Sequence, residues 1–270
     1  MDTAEVLRDL VEEQDAPDEV VGALQDAQWS LSTPSPGWSV AHQVAHLTYF
    51  DRTAALAISD PPAFMTSRDE LITKGFENPD SVDDLTLGAY LAMSPAELLA
   101  EWRAGRAELA ETASRLADGD RVEWYGPSMS ARSFLTARLM EVWAHGQDII
   151  DAVVRSGGTA DRPTTDRLRH IAHLGFVTRG WSYAVRDAQA PAGDVRVELV
   201  APSGDQWSWG PPDAEASVRG PAQDFCLVVT QRRHVDDTRL DVAGEAASDW
   251  MRVAQAFAGG ATTGPAAGGN

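Results

Sequence analysis

Two pairs of side chains in this sequence are spaced for metal chemistry. In RLMEVWAHGQDI, Glu141 precedes His145 by four residues, so on a helix the two stand one turn apart on one face and can converge on a single ion. Far upstream, in VAHQVAHLTYF, His42 and His46 repeat that interval. On facing helices these stretches would assemble a His/His/Glu set, the ligand type that leaves one position of a catalytic zinc ion open to water or substrate. Each pair alone also arises by chance on helices rich in Glu and His. His42 reads as a direct ligand or, alternatively, as a packing residue that supports a ligand from behind. Asp148, one turn beyond His145, could orient that imidazole through its ring N–H or be a plain surface charge.

Other residues offer less. Arg232 and Arg233 end an apolar stretch, where cations complement a helix dipole, although they could also grip an anionic substrate. His170 and His173 read as ordinary helix residues, His234 falls in a polar turn, and Trp38 and Trp143 read as packing residues. The single cysteine, Cys226, lies in the apolar run FCLVV and reads as a buried core thiol. One cysteine excludes an intramolecular disulfide and any Cys-rich zinc module, which suits a reducing compartment.

The spacings have meaning only on helices, and the sequence supplies them. A first helix spans 3 to about 28, with apolar positions Val6, Leu7, Leu10, Val20, Val21 and Leu24 and a bend expected near Pro17. The Ser/Pro/Gly-dense SLSTPSPGW must be a loop. Ser39 then caps a second helix running to about residue 60. Residues 61–93, punctuated by Pro61, Pro62, Gly75, Asn78 and Pro79, read as irregular with one or two short helices, a segment that could cover a site. Ser94, Pro95 and Glu97 make a capping box and start a third helix. After the connection ADGDRVEWYGPSMS, a fourth helix runs from near Ser130 to about Arg155 and stops at Gly157 and Gly158. A further helix spans about 165–186. Beyond Pro191 the pattern turns to strands in VRVELVAPSG, QWSWG, ASVRG and RLDVAG, with helices at 221–231 and 245–258. The expected class is α+β: a helical metal-binding domain over 1–190, a small α+β domain over 191–258, and a disordered Gly/Ala/Thr-rich tail over 259–270.

Composition bounds the partners. A chain of 270 residues, 43% hydrophobic and 23% charged, is ordinary for a globular protein with a real core. The net charge of −19 argues against broad contact with nucleic acid or an anionic membrane. Lys74 is the only lysine. No apolar run reaches the roughly 18 residues that cross a bilayer, and the acidic start MDTAEVLRDL is unlike a signal peptide. A cytoplasmic monomer or homodimer with a small-molecule partner is expected.

The segment GWSVAHQVAHLTYFDR, followed by MEVWAHGQDI, resembles the N-terminal domain of mycothiol-dependent maleylpyruvate isomerases, within the wider DinB-like superfamily of metal-binding four-helix bundles. In that family a Trp, a Ser or Thr, five residues and Ala-His-Leu deliver one histidine ligand, which falls on His46. The second motif delivers Glu and His, which fall on Glu141 and His145. The tail is similar to the family's small C-terminal domain, related to sterol-carrier folds. The resemblance implies a divalent metal, usually zinc, with nickel, iron and manganese open. It also implies mycothiol as cosubstrate for a transferase or isomerase whose metal-activated thiolate attacks an electrophilic carbon. Residues 61–93 and 164–186 depart from the isomerase pattern and point away from maleylpyruvate itself. The chain looks most like a branch whose members are described only as metal-binding proteins. Two alternatives stand beside this one: a metal-dependent hydrolase, and a non-catalytic metal-containing binding or sensing protein in which His42 would close the coordination shell.

Overall fold

The computed structural model describes residues 2–269. Two compact units divide at Arg162 and Pro163.

In the first unit, helix α1 (Thr3–Gly22) opens on a reciprocal cap between Asp2 and Glu5 and carries Pro17 within it. Helix α2 (Val40–Ser59) begins where the sequence places its N-cap, at Ser39. Residues 61–93 are regular: α3 (Pro61–Glu77), a short 3₁₀ turn and α4 (Val82–Leu91) occupy most of the segment expected to be irregular. The prolines that suggest disruption sit at the first positions of α3, where no backbone N–H is needed, and the Asp60 carboxylate caps Ala63 N at 3.1 Å. Helix α5 (Pro95–Ala113) starts on the expected Ser94/Glu97 capping box. The next connection contains a two-residue antiparallel pair, β1 (Arg121–Val122) and β2 (Met129–Ser130). Helix α6 (Ala131–Arg155) is buried along most of its length from Arg138 to Val153. It ends in a Schellman motif: Gly157, at φ +85°, donates to Val154 O and Gly158 donates to Val153 O, both at 3.0 Å.

Helices α1, α6, α2 and α5 pack as a closed ring, and α3 and α4 lie against α2. The four-helix bundle and the α+β class match the sequence expectation. One carboxylate ties the ring together. Asp51 on α2 accepts from Arg138 of α6 (2.8 Å), Gln14 of α1 (3.1 Å) and Trp102 Nε1 of α5 (3.2 Å). Burying that charge is tolerable only because each oxygen is matched.

The second unit holds α7 (Leu168–Val177) and α8 (Arg179–Ala184), then β3 (Val195–Val200), β4 (Gln206–Trp209), β5 (Ala216–Pro221), α9 (Ala222–Val229), β6 (Asp241–Ala243) and α10 (Glu245–Val253). The sheet order is β4-β3-β5-β6, with β3 and β5 parallel and both outer pairs antiparallel. Val195, Val197 and Leu199 alternate into the core, where Phe225 of α9 meets Trp250 of α10 edge-on. The sequence expectation puts the domain boundary near residue 191 and counts 165–186 as one helix of the bundle domain. The structure breaks that helix at Thr178 and groups both pieces with the sheet unit. The cause is contact with α9: Gly175 lies so close to Val229 and Phe225 that a Cβ would sit 2.8 Å from Val229, and Cys226 Sγ meets Leu168 O at 3.5 Å. The terminal stretch, expected to be disordered, is hydrogen-bonded: Gln231 Nε2 donates to Thr262 O at 3.2 Å and Gly268 N donates to Asp237 at 2.9 Å. Among the described residues no helix is long and apolar enough to cross a membrane.

Candidate metal centre

Contact between α2 and α6 brings the two spaced pairs face to face. Ligand atoms of His46, Glu141 and His145 all lie within 4.8 Å of one another. Glu141 Oε2 is 3.1 Å from His145 Nε2 and 3.5 Å from His46 Nε2. Bonds of about 2.0–2.1 Å to zinc would set tetrahedral donors about 3.3 Å apart, so these two separations fit one ion without rearrangement. Two imidazole nitrogens and one carboxylate oxygen are also the donor chemistry of open zinc sites.

The surroundings keep the His46 ring available as a neutral metal ligand. Burial first, then the neighbouring His145, lowers the His46 pKa to about 4, although Glu141 pulls the other way. Burial would raise the Glu141 carboxyl, but its hydrogen bonds with His145 and His46 outweigh that and hold it well below the usual carboxylate range. Aromatic rings wall the cluster. Trp38 stacks on His145 (6.0 Å between centroids, 23°) and tilts against His46 (5.2 Å), and Phe50 lies 4.5 Å from His46 on α2. Trp38 is held from outside by Asp83 at the start of α4, which accepts from its Nε1 at 3.2 Å. Beyond Phe50, Tyr49 and Tyr125 share a 3.2 Å hydroxyl contact, and burial, then that contact, pushes the Tyr125 hydroxyl up so that it stays protonated.

The supporting residues divide differently from expectation. His42 turns away from the cluster: its Nδ1 contacts Ser39 Oγ at 2.8 Å and accepts from Ser39 N at 3.3 Å, which makes it part of the α2 cap. Asp148 is buried and accepts from Ser35 at 3.1 Å, whereas His145 Nδ1 is engaged by Gln43 Oε1 at 2.5 Å. Gln43 has no counterpart among the residues singled out from the sequence. Its signal was present: it precedes His46 by three residues and so shares that helix face. Trp38, read as a packing residue, packs on the ligand rings themselves. Arg232 and Arg233 belong to the other unit, where their Nη1 groups donate to Thr230 O and Arg232 O at 2.7 Å just past α9.

Comparison with known proteins gives the family. The model for the mycothiol maleylpyruvate isomerase N-terminal domain matches residues 10–150, a little over half of the chain. The chain belongs to this family. Both motifs that carry the triad fall inside that match. A second model, described as wyosine base formation, matches residues 191–243. Two full-length relatives from strains of Mycobacterium tuberculosis, both named as uncharacterized proteins, are 45% identical over 258 residues, covering 96% of this chain and 97% of theirs. Two crystal structures of a mycothiol-dependent maleylpyruvate isomerase share the fold. A histidine-to-alanine mutant superposes at a TM-score of 0.58 with 15% identity, over 92% of this chain and 96% of its own. The other reaches 0.56 with 16% identity, over 86% and 90%.

Proposed function

We propose that this family member is a thiol-dependent transferase or isomerase. Its zinc-type divalent ion is held by His46, Glu141 and His145, and mycothiol is the cosubstrate. The observation that carries the reading is the convergence of two imidazole nitrogens and one carboxylate oxygen on a point that is partly open to solvent, with side-chain exposures of 18% for His46 and 24% for Glu141. Family membership and the isomerase named in the two similar structures support the choice of thiol.

A divalent ion in this position supplies Lewis acidity that brings a coordinated thiol to its thiolate near neutral pH. The chain's own residues do the rest. Glu141 contributes the only negative charge of the triad, so a dipositive ion there keeps a net positive charge and favours an anionic fourth ligand. Trp38 and Phe50 shield the two imidazoles with apolar surface and limit competing water. His42, occupied by its own helix cap, leaves the set at three, which favours an open site over a closed structural one.

Elemental analysis of purified protein and of His46→Ala and Glu141→Ala variants tests the site. One equivalent of metal in the parent and none in either variant is expected. Calorimetric titration of the metal-loaded parent with mycothiol then tests the reaction class, and saturable binding that disappears on metal removal is expected. Metal without thiol binding would overturn the thiol reading in favour of hydrolysis or sensing, and a metal-free parent would overturn the whole.

A further inference from the structure

We propose that Gln43 is the positioning residue of this metal centre: its amide fixes which nitrogen of His145 faces the ion and couples that ligand to the loop carrying Trp38. The inference rests on the metal reading above and deepens it.

The argument follows the direction of each hydrogen bond. The backbone carbonyl of Trp38 can only accept, and Thr33 donates to it twice, from N at 2.8 Å and from Oγ1 at 3.0 Å. Having given up its one proton, the Thr33 hydroxyl is left as an acceptor. Gln43 Nε2 lies 2.9 Å away and supplies the donor. That fixes the amide orientation, so Oε1 is the atom that faces His145 Nδ1 at 2.5 Å. An amide oxygen has no proton to offer, and His145 must therefore carry a hydrogen on Nδ1, which in the neutral ring leaves the lone pair at Nε2. Nε2 is the nitrogen that stands 3.1 Å from Glu141 Oε2.

Two lone pairs, one on Nε2 and one on a carboxylate oxygen, thus face each other at hydrogen-bond distance. A proton on Nε2 or a bound cation satisfies that arrangement. Gln43 is fully buried, as 0% exposure shows, and exchanging its amide oxygen and nitrogen would forfeit the Thr33 Oγ1–Trp38 O hydrogen bond. An amide also differs from the carboxylate that often backs a metal-bound histidine. It orients the ring without adding charge, which preserves the net positive character of the loaded site.

The test uses the full-length protein with zinc as the probe. Zinc affinity is measured by chelator competition for the parent, Gln43→Leu, Gln43→Glu and Thr33→Val, together with thermal unfolding of each metal-free form and histidine ring ¹⁵N spectra of the zinc-loaded parent. Gln43→Leu, which removes the acceptor, is expected to weaken zinc binding by about 10–100-fold. Gln43→Glu retains an acceptor for Nδ1–H and is expected to stay within about threefold of the parent, a rescue that mere packing would not give. Thr33→Val is expected to fall between them. The parent spectrum should show His145 bound through Nε2 with a proton on Nδ1, a result that needs no variant to fold. Zinc affinity of Gln43→Leu within about twofold of the parent, equal losses in the Leu and Glu variants, or binding through Nδ1 would each overturn the proposal while leaving the metal reading intact. A parent that takes up no zinc would overturn both.

Discussion

Asp51 follows His46 by five positions along α2, yet the two enter polar layers of opposite character. At Asp51 each of the other three helices of the ring contributes a donor, and the side chains of Asp51 and Arg138 are 0% and 4% exposed. The carboxylate is satisfied on both oxygens, and Arg138 Nε is the atom left without a partner. At His46 two imidazoles and a carboxylate converge, and the layer is partly open. A bundle can therefore bury charge for two ends. Closed and matched, it pins helices together; partly open, it gathers three side chains of the kind that ligate metal ions.

Removing the centre of the closed layer should produce the largest effect on stability. Asp51→Ala leaves Arg138 buried without its counter-ion, and a loss of about 3–5 kcal/mol is expected in chemical denaturation; a loss below about 1 kcal/mol would erase the distinction between the layers. In the open layer the expected pattern inverts. Glu141→Ala should weaken metal binding by at least about 100-fold, roughly 2.7 kcal/mol, while the metal-free protein loses less than about 1 kcal/mol. Trp102→Phe, which deletes one of three donors to Asp51, should cost about 1 kcal/mol without altering metal content. His42→Ala should cost about 0.5–1 kcal/mol through the lost cap and leave the metal stoichiometry unchanged.

A peripheral tie outside both layers should respond least. Asp118 accepts from Thr3 N and Oγ1 at 2.7 and 2.6 Å, and those bonds hold its carboxyl below the usual range. Its folded pKa lies below the unfolded value. The stabilisation is therefore present above the ordinary carboxylate pKa and disappears as pH falls through the lowered one. Hydrogen exchange in the first turn of α1 should accelerate on acidification before any change at α6.

Helix starts were the most legible part of the fold, because Ser39, Ser94 and Ser130 satisfy orphan N–H groups locally and need no tertiary partner. Pro61 and Pro62 misled for the opposite reason: the same residue type breaks a helix inside and begins one at its edge, and only Asp60 decides which. The β1–β2 pair is too short to show a period. Of the site, the triad was legible from four-residue spacing and motif. Asp51 was not, since a single polar residue on a helix reads as solvent-facing until the packing partner is known, and Gln43 was signalled only by its place three residues before His46. The attachment of α7 to the sheet unit depends on the close approach of Gly175 to α9, a long-range contact that no local pattern carries.

The lone cysteine has a redox consequence. Cys226 is 0% exposed, and its Sγ is turned to Leu168 O. With no other sulfhydryl in the chain, the folded protein offers none for mixed-disulfide formation, glutathione-type capping or oxidation to sulfenic acid. On the thiol-dependent reading proposed above, oxidation would act first through the small thiol and not through this cysteine.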